Sequence, residues 1–252
     1  MKLNNRGFAI STIMYMVLIM AITLVTLTLS LLSNRNIILE KIKDETMDNV
    51  YKLPEESRLP FQYQEVEYIE STGTQYIDTG IIPDQNSGFD VVYLTKDSTS
   101  NIINSWGSIF GSRYASLERE FQLTTYSSNS SYLGTLRFET SSYNAGITVN
   151  KKMHSTLISQ VYTNNDDVSF TIGGTFTSPQ TLTVFALNNN GEIIQHGSLQ
   201  LYSFKLYNGE TVVRDFIPCY RKLDGVIGLF DIIENKFYIN SGSGTFKRGG
   251  NV

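Results

Sequence analysis

The sequence has one cysteine, two histidines and few charged residues, and these scarcities exclude several kinds of site. Cys219 is the only cysteine among 252 residues, so an intramolecular disulfide and a paired-cysteine zinc motif are both excluded. Stability must then come from a hydrophobic core, in which we expect Cys219 to be a small buried residue of a strand. His154 and His196 lie beside no Ser, Cys or carboxylate in a recognised catalytic pattern, and we expect both to be structural.

Basic residues are too few and too scattered for a nucleic-acid-binding surface. From residue 65 onward the chain has thirteen Lys and Arg against eighteen Asp and Glu, which makes this part mildly acidic. A phosphate-binding surface needs Lys and Arg clustered on one face, so we expect no nucleic acid partner. Aromatic residues, in contrast, are abundant. The 15 Tyr and 14 Phe, with charged residues at only 17%, favour a mainly β fold.

The N-terminal part contains one long apolar segment. Residues 8–32 hold no charge, Pro or Gly, and as a helix they would extend roughly 37 Å, more than the hydrocarbon core of a bilayer at about 30 Å. A cleaved signal peptide would have a shorter apolar region followed by small residues, whereas SNRN follows Leu32. We predict a single-pass helix in the cell membrane, with the short basic N-terminus inside and the C-terminal domain extracytoplasmic.

The helical pattern continues beyond this apolar segment. Apolar residues at helical spacing run to Leu53, and Pro54 ends the pattern. We therefore predict one helix over 8–53, which is a transmembrane helix that continues as an amphipathic stalk. A linker over 54–64 follows, with two of the five prolines. In the second domain, 65–252, apolar residues recur at every second position instead of at helical spacing.

Residues 1–7 form a short basic leader before an apolar residue. Lys2 and residues 4–7, NNRG, precede Phe8. This arrangement resembles the N-terminus of type IV prepilins and pseudopilins. The resemblance implies cleavage between Gly7 and Phe8 by a prepilin peptidase, methylation of Phe8, and other pilin-like subunits as partners. Thr12 stands where that family usually has Glu, which leaves filament assembly open. An uncleaved signal anchor is the alternative.

From residue 65 the sequence alternates short β-like runs with turn residues. The runs are rich in Val, Ile, Tyr, Phe and Thr, and their number and spacing indicate a sandwich or barrel. Hairpin turns are predicted at Asn190-Gly191, Asn208-Gly209 and Glu234-Asn235. The predicted strands are Glu65–Glu70, Gln75–Thr79, Phe89–Thr95, Ser108–Arg113, Glu120–Tyr126, Thr135–Thr140, Ser155–Tyr162, Val168–Ile172, Leu182–Leu187, Leu199–Tyr207, Thr211–Pro218, Gly225–Asp231 and Lys236–Ile239.

Five segments of this domain carry a second resemblance. They are VEYIESTGTQYIDTGIIP (66–83), SIFGSR (108–113), TVFALNNNG (183–191), LYSFKLYNGETVVRDFIPCYR (201–221) and GVIGLFDIIENKFYINSGSGTF (225–246). In this order they look like the LamG-like, concanavalin A-like domains of bacterial surface and phage-tail proteins. The resemblance implies a two-sheet antiparallel jelly-roll sandwich whose N- and C-terminal strands are adjacent.

The domain lacks the carboxylate pattern of the glucanases that share this fold. Those enzymes typically carry E-x-D-x-x-E on one strand, whereas the nearest acidic alternation here is Glu65, Glu67 and Glu70, without the central Asp. We therefore predict a non-catalytic module, with glycan hydrolysis as a less favoured alternative. No cofactor or metal is expected. The run NNDD at 164–167 is first of all turn chemistry, with a Ca²⁺ site as its alternative.

An aromatic platform beside a few polar groups is enough to bind a sugar. Trp106, Tyr114 and Tyr132 lie in or beside Ser- and Asn-rich connections. We predict them as ligand-binding residues, with packing in the core or rim as the alternative. Together these observations predict a membrane-anchored, surface-displayed module that binds carbohydrate or protein, as in adhesion. The alternative is a minor pseudopilin of a type IV pilus or a type II secretion-like machine, and the two can both be true.

Overall fold

An N-terminal helix and a C-terminal β-domain make up the described part of the chain. The computed structural model describes residues 13–33, 58–96, 107–116, 118–125, 134–165 and 168–252. The helix and the β-domain belong to two separate compact units, divided between residues 57 and 58.

The helix, α1, covers Ile13–Ser33 and is exposed along its whole length. Among the described residues it is the one helix long and apolar enough to cross a membrane. Its Thr23, Thr26 and Thr28 hydroxyls each donate to the carbonyl three residues earlier, at 2.8–2.9 Å. The helix thus satisfies these hydroxyls internally, as apolar surroundings would require. The rest of the helix predicted over 8–53 lies outside the described residues.

The β-domain consists of short strands in two sheets, which confirms the prediction of a mainly β fold. The described strands are β1 (Tyr63–Glu65), β2 (Ile69–Thr72), β3 (Ile77–Asp78), β4 (Ser87–Thr95), β5 (Ser108–Arg113), β6 (Glu120–Thr124), β7 (Thr135–Glu139), β8 (Ser141–Asn144), β9 (Lys152–Ile158), β10 (Val161–Asn164), β11 (Ser169–Thr171), β12 (Thr183–Val184), β13 (Leu187–Asn189), β14 (Glu192–Ile194), β15 (Ser198–Asn208), β16 (Thr211–Arg221), β17 (Ile227–Asp231), β18 (Lys236–Ile239) and β19 (Lys247–Arg248).

The larger sheet has eleven strands, and its described pairs are all antiparallel. The main order is β11-β10-β9-β4-β15-β16-β17-β18. The long strands β15 and β16 pair with each other near their shared turn. Away from the turn they diverge, and β15 takes β2 as its partner while β16 takes β1. Strand β19 lies beside β2, so the first and last segments of the domain are adjacent, as predicted.

The smaller sheet has eight strands, in the order β14-β13-β5-β6-β7-β8, with β12 and β3 attached beside β5. The predicted strand Leu182–Leu187 is two strands here, because Phe185 between them takes a positive φ of 68°. As a result, β12 pairs antiparallel with β5, whereas β13 pairs parallel with it. The other described pairs of this sheet are antiparallel.

The main core lies between the two sheets, which pack face to face as a β-sandwich. Phe89 and Phe204 of the larger sheet contact Phe110 of the smaller one, with ring centroids 4.8 and 5.2 Å apart. All three rings are fully buried. Buried rings of this size remove the most apolar surface from water per residue, so this aromatic layer stabilises the sandwich in the absence of disulfides.

A second, smaller apolar cluster lies outside the main core and consists of Leu59, Ile217, Cys219 and Phe230. Cys219 is fully buried there, which confirms its predicted role as a small buried strand residue. Burial raises the pKa of its thiol to about 12.

Leu59 is 4% exposed, so residues 58–64, predicted as linker, are part of the β-domain. The predicted boundary at residue 65 was too late because a single apolar residue between two prolines gave no periodic signal.

Of the two turns predicted at Asn-Gly pairs, one lies where it was predicted and the other lies one residue further along. Asn190 and Gly191 both take positive φ, 54° and 92°, which confirms the hairpin turn between β13 and β14. At the second site Asn208 belongs to β15, and the turn is Gly209-Glu210, in which Gly209 alone has a positive φ, 61°. The hairpin was therefore predicted correctly, but its turn lies one residue further along.

The hairpin of β9 and β10 was missed. The predicted strand Ser155–Tyr162 is interrupted by a two-residue turn, Ser159-Gln160, which separates β9 from β10. Both turn residues have positive φ, 50° and 65°. Neither residue type favours that region of backbone conformation, so the sequence contained no turn signal at this point.

Candidate ligand-binding surface

The face of the larger sheet that points away from the main core carries a group of polar and aromatic side chains. Side chains alternate between the two faces of a strand, so Ile69 and Leu201 enter the core while Glu70 and Gln200 point outward. Glu70 and Gln200 are direct partners across β2 and β15. What we call the outer-face surface consists of Tyr68, Glu70, Lys96, Lys152, Gln200 and Tyr202.

A chain of hydrogen bonds crosses the outer-face surface. The Tyr202 hydroxyl donates to Oε1 of Gln200 at 2.9 Å. Nε2 of Gln200 and Nζ of Lys96 both donate to Oε2 of Glu70, each at 2.7 Å. Because each group is held by the next, the polar atoms occupy fixed positions before any ligand arrives.

The same contacts determine the charges of the outer-face surface. Burial alone would raise the pKa of Glu70, but the hydrogen bonds from Lys96 and Gln200 outweigh it, and the pKa lies below its ordinary value. The bond to Glu70 raises the pKa of Lys96. Burial and the nearby Glu67 carboxylate raise the pKa of Tyr202. At neutral pH the surface therefore presents an ionised carboxylate, an ammonium group and a protonated phenol.

Two tyrosine rings lie at one side of the hydrogen-bonded chain. The centroids of Tyr68 and Tyr202 are 5.3 Å apart, and the ring planes are tilted by 56°. Nζ of Lys152, which is exposed, lies 3.8 Å from the Tyr202 ring centroid. Aromatic faces next to amide, carboxylate and hydroxyl groups suit a ligand that has both C–H faces and hydroxyl groups.

Polar side-chain pairs continue along the larger sheet beyond this surface. Nε2 of His154 lies 2.9 Å from Oδ1 of Asp90, and Nζ of Lys205 lies 3.1 Å from Oδ2 of Asp215. His154 thus has a carboxylate partner that its sequence neighbours do not reveal, since Asp90 comes from β4 and His154 from β9. The ring of His196 instead lies near that of Tyr76, with centroids 6.1 Å apart.

The smaller sheet contains a buried charge cluster. Both carboxylate oxygens of the fully buried Glu120 are bound, Oε1 by Arg113 at 2.9 Å and Oε2 by Arg137 at 3.1 Å. Nε of Arg113 also donates to Asn189 at 2.7 Å. The two guanidinium groups thus occupy both oxygens of the Glu120 carboxylate. This arrangement suits a structural role for Glu120 better than proton transfer.

Of the residues predicted to bind ligand, only Tyr114 is described. It lies in the connection between β5 and β6, is 42% exposed, and has the guanidinium carbon of Arg119 5.3 Å from its ring centroid. Trp106 and Tyr132 lie outside the described residues, as do Gly7 and Phe8 of the predicted processing site. Tyr114 lies beside the smaller sheet, so it is not a member of the outer-face surface.

The described half of the NNDD run binds the protein's own backbone. Asn164 donates to the carbonyls of Ala145 and Gly146, at 2.7 and 3.1 Å, and Asn165 donates to that of Lys152 at 3.0 Å. These bonds agree with turn chemistry. Asp166 and Asp167 lie outside the described residues. Elsewhere in the described ranges, no three His, Cys, Asp or Glu side chains lie close enough together to hold a metal ion.

Comparison with known proteins found no relative. No protein-family model matches the chain, and no curated protein is significantly similar to it. The two resemblances therefore rest only on the residues that carry them. The surfaces of the molecule are the remaining indication of its function.

Proposed function

We propose that this protein is a membrane-anchored binding module that displays a concanavalin A-like jelly-roll domain outside the cytoplasm and binds glycan through its outer-face surface. One observation carries the proposal, namely the preorganised chain from Tyr202 through Gln200 to Glu70 and Lys96 beside the ring of Tyr68. In the proposed arrangement α1 crosses the bilayer. Its length, its apolar composition and its internally bonded threonines support this role.

Glycan is the ligand class that best matches this surface. Sugar hydroxyls donate and accept hydrogen bonds, which suits the half-buried Glu70 carboxylate and Tyr202 hydroxyl, and the buried Gln200 holds these two groups in place. The tyrosine rings supply an apolar face for the C–H side of a sugar ring. The Lys152 side chain covers the Tyr202 ring and would have to move aside for a ligand. Because Lys152 is exposed, this movement would cost little free energy.

The proposed activity is binding without cleavage. Hydrolysis needs one carboxylic acid and one carboxylate on either side of the scissile bond. Glu70 is kept ionised by Lys96 and Gln200, and the Glu120 carboxylate is occupied by two arginines. Neither is arranged as a proton donor, which supports a module of the lectin type.

Retention on immobilised glycans tests the proposal. The full chain, in detergent micelles or nanodiscs, should be retained by at least one polysaccharide resin of a panel. Tyr202→Ala should reduce retention by about tenfold, because it removes one ring and the anchor of Gln200. Tyr207→Ala, at another half-buried tyrosine of β15 outside the hydrogen-bonded chain, should leave retention unchanged. Equal losses for both variants, or no retention on any resin, would refute the proposal.

The leader-like residues before Phe8 favour a second candidate function, that of a minor pseudopilin. Here the membrane helix would also insert into a pilus-like or secretion-like assembly after cleavage at Gly7, and the β-domain would be the part exposed to ligand. The two candidates are compatible, because one concerns the N-terminus and the other the outer-face surface. The mass of the mature N-terminus tests the pseudopilin function alone.

A further inference from the structure

We propose that a cleft at one end of the β-domain binds a single neutral sugar residue, as a second site distinct from the outer-face surface. The cleft has a volume of about 200 Å³, and Gln85, Asn86, Ser87, Ser159, Gln160 and Ile172 are among its lining residues. Pockets for drug-sized ligands measure about 300–1,000 Å³, so this cleft suits a ligand the size of one ring. The inference goes beyond the proposed function, and each of the two sites can be tested without the other.

Three turns next to strands of the larger sheet build the cleft. The first comes before β4 and is closed by a bond from Ser87 N to Asp84 O at 3.0 Å. The second is Ser159-Gln160, and the third includes Gly209. Backbone bonds join the parts, since Gly209 N donates to Asn86 O at 2.8 Å and Ile172 N donates to Gln160 O at 2.9 Å. The shape of the cleft therefore does not depend on the side chains that line it.

The side chains that line the cleft have unused hydrogen-bonding capacity. The carboxamides of Gln85, Asn86 and Gln160 have no hydrogen-bond partner among the described residues. Each carboxamide offers two donors and an acceptor oxygen. A hydroxyl group both donates and accepts, so a polyhydroxylated ligand can satisfy several of these groups together. Three amides on the lining of one cleft, with no protein partner among the described residues, are thus complementary to a sugar.

The charge next to the cleft narrows the ligand class further. No ionisable side chain is among the described residues that line it, and the carboxylate of Glu210 accepts a hydrogen bond from the lining Ser159 hydroxyl at 3.4 Å. An anionic ligand would lose its hydration there and meet a charge of the same sign. A neutral sugar loses little by comparison, because its hydroxyls exchange water for amide groups. The cleft therefore favours neutral sugars over sialic or uronic acids.

The turn at Ser159-Gln160 is an independent indication that this end of the domain has a function. Both residues take the left-handed backbone conformation, with φ of 50° and 65°. Asn and Gly are the residues that tolerate this conformation in two-residue hairpins, whereas Ser and Gln are strained. Strain of this kind is retained where a side chain is needed at the position. Here the strained turn places Gln160 on the wall of the cleft.

Saturation-transfer NMR on the full chain in nanodiscs tests the inference, with D-glucose, D-galactose and N-acetyl-D-glucosamine as the probes. At least one of the three should receive saturation from the wild-type protein. Gln160→Gly should weaken that sugar's affinity at least tenfold and at the same time raise Tm, because glycine accepts the positive φ. A purely structural turn would gain stability and leave binding unchanged.

Two controls keep this result interpretable. Asn235→Gly changes another turn residue of positive φ, 56°, in the hairpin between β17 and β18, and should leave sugar binding unchanged. Tyr202→Ala removes the outer-face platform and should also leave it unchanged, so a failure of the proposed glycan surface is distinguishable from a failure of the cleft. The inference is overturned if no probe binds the wild type, or if Gln160→Gly binds as tightly as the wild type.

Discussion

Gln200 and Glu70 face each other across β15 and β2 and are joined by a 2.7 Å hydrogen bond from Nε2 to Oε2. They are 130 positions apart in the chain. Because β2 also pairs with the C-terminal β19, this pair links the proposed binding surface to the contact between the first and last segments of the domain. A change at Glu70 should therefore affect the stability of the domain as well as its binding.

Stability at acid pH should depend on Glu70. Its folded-state pKa lies below the ordinary value of 4.5, so its contribution is present above pH 4.5 and is lost as the pH falls through the folded pKa. In Glu70→Gln this contribution is missing, and the free energy of unfolding should decline less steeply below pH 4.5 than in the wild type. Urea unfolding at stepped pH measures this. Glu67→Gln, at an exposed carboxylate nearby, should follow the wild-type curve, and identical curves for all three proteins would contradict the assignment.

The buried carboxylate of Glu120 should be among the most costly to remove. Glu120→Gln leaves two guanidinium groups without their shared counter-charge, which should lower the free energy of unfolding by about 3–5 kcal/mol. Chemical denaturation measures this free energy of unfolding directly. Glu118→Gln, whose side chain is 47% exposed, is the matched control and should change stability by less than about 0.5 kcal/mol. A loss below about 1 kcal/mol for Glu120→Gln would show that the cluster is not the buried ion pair described above.

The Cys219 thiol should resist alkylation in the folded protein. With a pKa of about 12, only about one thiol in ten thousand is ionised near pH 8, and the thiolate is the reactive form. Burial restricts access as well. Labelling by iodoacetamide should be at least roughly a hundredfold slower in the native protein than after unfolding in guanidinium chloride. Mass spectrometry follows the reaction, and rapid stoichiometric labelling of the native chain would contradict this placement.

The mass of the N-terminus should reveal how the leader is processed. If the resemblance to prepilins holds, protein isolated from its native membrane begins at Phe8 and carries an added methyl group. A chain that begins at Met1 would indicate a plain signal anchor and leave the pseudopilin function without support. Intact-protein mass spectrometry distinguishes the two, and the binding proposals stand in either case.

The parts of the fold that could be predicted from the sequence are those with local causes. Ser108–Arg113 and Lys236–Ile239 were predicted with the bounds they have as β5 and β18, since both are short β-rich runs between turn residues. Asn190-Gly191 forms its predicted turn because both residue types accept positive φ. The turn at Ser159-Gln160 was missed for the opposite reason, since the surrounding structure imposes it on residues that disfavour it.

The candidate sites could not be predicted, because tertiary structure assembles them. Gln200 and Tyr202 lie in β15 and Tyr68 lies directly before β2, and all three were predicted only as parts of strands. Their neighbourhood follows from the pairing of β2 with β15, which no local pattern contains. The sequence pattern favoured aromatic residues in loops as ligand-binding residues. Tyr114, the one described example, lies in the connection between β5 and β6 of the smaller sheet. No sequence pattern marked the amides of Gln85, Asn86 and Gln160 either, because tertiary structure also brings these residues together.

The pairing of the domain's first residues has a mechanical consequence. Strand β1 is bonded to β16 on one side, and on the other Val252 N donates to Glu65 O and Glu67 N donates to Gly250 O. Tension applied at the start of the domain therefore enters a strand with partners on both sides. Such a strand has to break both rows of bonds together before it leaves the sheet, whereas an edge strand peels one bond at a time. A domain tethered from this end and loaded by a bound ligand would be built to resist pulling.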